Sequence, residues 1–100
     1  MEVRFHKLVQ ADLNKILRDY SLISLQLEDD FYDEFMAELE KAVANPQSNH
    51  FDACGLRRAN FHRFPFHFLY DVGRDAIRIW VLRHNKRKGS LGLRRFKRTD

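Results

Sequence analysis

The sequence predicts an α+β domain of order β-α-α-β-β-β, with two antiparallel helices packed on one face of a small, largely antiparallel sheet. Two observations carry that prediction. Apolar residues recur with helical spacing between Gln10 and Val43, and from Leu56 onward the period drops to two. With 100 residues, 44% of them apolar and only 4 Gly and 2 Pro, the chain has the length and composition for one core and one domain. We place that domain at residues 1–88 and read 89–100 as a basic, partly mobile C-terminal tail.

The elements follow in order. Val3, Phe5 and Leu8 suggest a short first strand. Leu13, Ile16, Leu17 and Tyr20 then share one helix face, with Asp12 in the first turn, where the helix dipole favours an acid. Around Ser21-Leu22-Ile23-Ser24 a serine can start a second helix. Its apolar stripe is Leu27, Phe31, Tyr32, Phe35, Met36, Leu39 and Val43. Its other face, rich in Glu28, Asp29, Asp30, Asp33, Glu34, Glu38 and Glu40, reads as solvated. Asn45-Pro46 ends this helix, because the residue before proline is driven out of the α region. After a polar loop come strands at Leu56 to His62, Phe66 to Val72 and Ala76 to His84, with turns at Phe64-Pro65 and Val72-Gly73-Arg74-Asp75.

Charge divides along the chain. Residues 1–55 hold 5 basic and 11 acidic side chains, net −6, whereas residues 56–100 hold 13 basic and 3 acidic, net +10. Strand alternation sends Ala59, Phe61, Phe66, Phe68, Tyr70, Val72, Ile77, Ile79 and Val81 to the core. It sends Arg58, Asn60, His62, His67, Leu69, Asp71, Arg78, Trp80, Leu82 and His84 to the open sheet face. Arginine forks grip phosphate oxygens, an exposed tryptophan stacks on a base, and histidine exchanges protons near neutral pH. The open face therefore reads as a nucleic-acid or partner surface. Arg57, Arg83, Lys86, Arg87, Arg94 and Arg95 extend its positive rim.

No cysteine or spaced carboxylate completes a metal site around His62 and His67, and no phosphate-loop pattern occurs, so neither metal nor cofactor is expected. The lone Cys54 and an N-terminus without a signal-peptide core suggest the cytoplasm, and no apolar run suggests a membrane.

Several segments resemble the RelE/ParE superfamily of bacterial type II toxin–antitoxin toxins. They are Gly55-Leu56-Arg57-Arg58, Phe64-Pro65-Phe66-His67-Phe68-Leu69-Tyr70, and Ile77 to Arg87 with its His84-x-x-Arg87 ending. Ala11-Asp12-Leu13, Tyr20, the acidic second helix and Pro46 add to the likeness, and the Phe-Pro-Phe turn lies closer to the ParE-like branch. The resemblance implies a toxin neutralised by a cognate antitoxin, of the kind that stabilises plasmids. Its activity would be either ParE-like interference with DNA gyrase or RelE-like cleavage of ribosome-bound messenger RNA. If the chain is a nuclease, the resemblance points to Arg58 and Arg87 as cationic groups, with His67 and His84 as base and acid. Two features depart from the nuclease pattern. His67 and Asn60 replace the usual arginine and lysine, and Gly89 to Leu93 lacks the C-terminal aromatic. A non-toxic RNA-binding module is the competing class.

Overall fold

The computed structural model describes residues 1–87, 89 and 91–97. Strand β1 (Glu2–Phe5) leads into α1 (Val9–Ser21) and α2 (Leu25–Ala44). Strands β2 (Arg57–Asn60), β3 (Phe66–Val72) and β4 (Ala76–His84) follow, then a one-turn helix α3 (Leu93–Lys97). The sheet order is β1-β4-β3-β2, antiparallel except for the parallel β1–β4 pair. The expected order and α+β class are therefore present, with α3 added. The tail expected to be partly mobile falls in part on Ser90 and residues 98–100, outside the described residues, as does Lys88 before it; α3 packs on the sheet.

Local chemistry explains the helices. Ser24 caps α2, its hydroxyl accepting from the Leu27 N–H at 3.0 Å, and Asn45 closes the helix before Pro46. The core between helices and sheet stacks Phe31, Phe35, Phe61, Phe64, Phe66 and Phe68 beside Tyr70. Phe31, Phe68 and Tyr70 have no solvent exposure, and each contributes roughly 1.5–3 kcal/mol through burial. The α2 stripe is narrower than expected: Phe31, Phe35, Leu39 and Ala42 are buried, while Tyr32 and Met36 stay 44% and 39% exposed.

The acidic face of α2 is also less solvated than expected. Glu34 accepts from the backbone N–H groups of His62, Arg63 and Phe64 at 3.0–3.3 Å, and Asp30 pairs with Arg63 at 2.7 Å. Glu38 is 6% exposed and accepts from Lys41. Glu34 and Asp30 thereby fasten the His62-Arg63-Phe64 segment of the turn onto the helix.

Simple alternation fails in one place. The β3–β4 register passes from Leu69↔Val81 to Tyr70↔Ile79, so Trp80 is an extra residue, a β-bulge. Beyond it the parity of β4 inverts. Val81, expected in the core, joins Leu56, Leu69 and Trp80 in a second apolar cluster on the other sheet face. Leu82, expected on that face, packs in the main core, and His84 turns to the helix side against Phe66, ring centroids 5.0 Å apart.

Candidate functional site

The sheet face away from α1 and α2 carries most of the expected site residues, and their geometry corrects the picture of an open cationic platform. Trp80, expected to be exposed, is 4% accessible: its indole N–H donates to Asp71 at 2.9 Å, and the Phe96 ring of α3 stands edge-on to it. Arg78 clamps the same Asp71 through two bonds of 3.1 and 2.7 Å.

His67 and Arg83 are buried, at 1% and 4% exposure. Their contacts fix the histidine tautomer. An arginine Nε can only donate, so His67 Nε2 accepts from Arg83 Nε at 2.9 Å and Nδ1 carries the proton toward Asn85 Oδ1 at 2.8 Å. Burial, reinforced by the Arg58 and Arg83 charges and opposed by the bond to Asn85 and by Asp52, pushes the His67 pKa down to about 4. The remaining Arg83 contacts go to the chain itself, Nη1 donating to the Gly89 and Leu91 carbonyls at 2.9 and 2.7 Å.

The other arginines are similarly engaged. Arg58 donates to Asn60 at 2.7 Å and pairs with Asp52 at 3.4 Å, and it also reaches Asn85. Arg57 lies 4.1 Å over the Phe51 ring and donates to the Gln47 and Asn49 carbonyls, pinning the β2 approach loop. Arg95 forks onto Asp12 at 2.6 and 3.0 Å and also reaches the Trp80 carbonyl. His62 is exposed, 3.7 Å from Glu38. The Lys86, Arg87 and Arg94 side chains are exposed, with no partner among the described residues. Arg87 and His84 line a groove of about 410 Å³ shared with Lys15 and Asp19, and His84 Nδ1 accepts from the Lys86 N–H at 3.0 Å.

The four expected catalytic residues therefore do not converge. His67 lies buried under the sheet's far face, whereas His84 projects from the helix side, because the bulge places the two on opposite parity. Sequence reasoning missed Asp12, Asp52 and Asn85, the polar partners that engage Arg95, Arg58 and His67. Asp12 is singled out in the sequence only for the helix dipole; its pairing with Arg95 is not legible there, because the two lie 83 positions apart.

A second surface was missed entirely. Strand β1 is an outer edge of the sheet. Glu2 and His6 direct their N–H groups to the Asp75 and Ile79 carbonyls, so the parallel ladder turns the Val3 and Phe5 amides outward. Beside this edge, Phe5 is 50% exposed and two adjoining grooves of about 430 and 400 Å³ run along α2, sharing Phe5, Met36 and Leu39 as lining.

No protein-family model matches the chain, and no curated protein sequence matches it. Among solved structures, it is similar to a chain of the chromosomal ParDE TA system from P. aeruginosa, with TM-score 0.71 and 22% identity over 84% of this chain and 95% of that one. The likeness is one of fold: the two chains share the same small α+β architecture. No helix among the described residues is long and apolar enough to cross a membrane.

Proposed function

We propose that the chain is the toxin of a type II toxin–antitoxin system, acting in the cytoplasm by ParE-like, non-nucleolytic interference with DNA gyrase and held inactive by a cognate antitoxin. The observation that carries the non-nucleolytic reading is the state of His67. General acid–base cleavage of RNA needs a titratable group within reach of the 2′-hydroxyl. Here His67 is 1% exposed and has both ring nitrogens engaged, and burial lowers its pKa to about 4. Arg83 faces the tail carbonyls rather than a scissile phosphate.

The β1 edge and the apolar grooves beside α2 supply the antitoxin's docking face. An extended segment can continue the sheet at Val3 and Phe5 while apolar side chains enter beside Met36 and Leu39.

Controlled expression in a bacterial host, followed by primer extension on cellular messenger RNA, tests the reading. Growth arrest without new RNA ends, relieved by co-expression of the neighbouring antitoxin frame, is expected. In-frame cleavage in translated messages would replace the gyrase reading with the ribosome-dependent nuclease. Abundant folded protein without arrest would favour a non-toxic RNA-binding module.

A further inference from the structure

Strand β1 leaves one side of its backbone unpaired, and its charge pattern is complementary to itself. The parallel ladder with β4 takes the N–H groups of Glu2 and His6, so the amides and carbonyls of Val3 and Phe5 point away from the sheet. Such an edge accepts another strand, and its charges select which one. Antiparallel pairing exchanges both backbone bonds only between residues that face outward on their own strands. That condition leaves few registers for β1 against a second copy of itself about a twofold axis. Setting Val3 against Met1 puts Glu2 opposite Glu2, and setting Val3 against Phe5 puts Arg4 opposite Arg4; like charges directly opposite are destabilising. Setting Phe5 against Phe5 puts Arg4 opposite His6 and makes no ion pair. Setting Val3 against Val3 places Glu2 opposite Arg4 on both sides of the axis.

We propose that β1 is the seam of a homodimer, joining the sheets of two copies into one, with Val3 opposite Val3 and Glu2 opposite Arg4 of the second copy. The side chains on both faces of the strand suit that register. Glu2 and Arg4 are exposed and already pair with each other at 3.1 Å, so both charges are free to turn across the seam. Arg4 also lies in register with Arg78 of β4, which gives its own fork to Asp71, and a second carboxylate offsets this like-charge neighbour. On the helix side Val3 packs against the main core, whereas Met1 and Phe5 stay exposed. The register sets Phe5 opposite Met1 of the second copy, beside the groove that Met36 and Leu39 line. The contact closes at two copies, because a twofold pairing uses up each β1 edge. At the opposite edge of the sheet, β2 is met by its own approach loop, through the Phe51–Arg57 bridge and the Arg58 N–H donating to the His50 carbonyl. The pairing follows from the edge itself, whatever the chain's activity. An antitoxin strand at β1 would use the same amides, so the dimer belongs to the chain free of antitoxin.

Sedimentation velocity on the untagged full-length chain tests the seam. The wild-type chain is expected to pass from monomer to dimer as its concentration rises through the micromolar range, and added salt should weaken the dimer. Glu2→Arg and Arg4→Glu each turn both cross-seam pairs into like charges, and each should raise the dimer dissociation constant about tenfold or more. An equimolar mixture of the two variants sets opposite charges across the seam again and should dimerise as tightly as the wild type. Val3→Pro removes an outward amide and no bond to β4, so the chain should keep its far-ultraviolet circular dichroism and stay monomeric. A wild-type chain monomeric throughout that range overturns the proposal, as does a dimer indifferent to all three substitutions or a mixture no tighter than its components. If a charge variant unfolds, Val3→Pro and the salt series decide. A chain that stays monomeric yet binds the antitoxin through β1 also overturns it and leaves the toxin reading intact, since growth arrest and supercoiling test that reading separately.

Discussion

His67 shows how a single side chain redirects a functional reading. In the sequence it is one of three histidines alternating with arginines on a sheet face. In the fold it is a neutral link between Asn85 and Arg83. A folded pKa near 4, below the ordinary 6.5, means that the unfolded chain binds the proton more readily. Stability from this residue is complete above about pH 6.5 and is lost as pH falls toward 4. Between pH 7 and pH 5 urea unfolding should register a loss of about 2 kcal/mol that a His67→Gln protein does not share. Glu34 belongs to the same scale. Burial pushes its carboxyl up, but three backbone N–H bonds outweigh that and hold its pKa below the ordinary value. Its contribution is present above the ordinary carboxylate range and fades as pH falls through the lowered value. Glu34→Ala should cost roughly 1–2 kcal/mol by chemical denaturation, through three turn amides that lose their acceptor.

Among the elements, helix positions were legible because capping and periodicity are local. Asn45-Pro46 marks the end of α2 in both sequence and structure, and of the two serines the sequence offers for its start the cap is Ser24; Ser24→Ala should lower stability by about 1 kcal/mol in the same assay. Strands β3 and β4 were also legible at both ends, since alternation and turn residues agree there. What alternation could not reveal is the bulge at Trp80, because an extra residue is specified by the partner strand rather than by its own neighbours. That one residue accounts for the misplacement of Val81, Leu82 and His84. Helix α3 was invisible for a similar reason: its five residues carry little periodic signal, and its fastenings at Asp12 and Arg83 are distant in sequence.

For the whole molecule, the division into a −6 half and a +10 half survives, but with different meaning. Much of the charge is spent joining the halves: Arg63 to Asp30, Arg95 to Asp12 and Arg58 to Asp52. The cations left exposed without partners among the described residues include Lys86, Arg87 and Arg94, around the end of β4 and on α3, a smaller patch than the sequence suggested. Another exposed feature is apolar, at the β1 edge and along α2. Met36→Glu should weaken antitoxin binding at least tenfold in calorimetry with little loss of fold, since the residue is already 39% exposed and packs at the groove mouth. Toxicity should then persist despite antitoxin co-expression. The proposed action on gyrase without RNA cleavage is tested most directly by supercoiling of relaxed plasmid by purified gyrase. Micromolar full-length chain is expected to inhibit supercoiling, with inhibition reversed by antitoxin; unimpaired supercoiling at that concentration would contradict it.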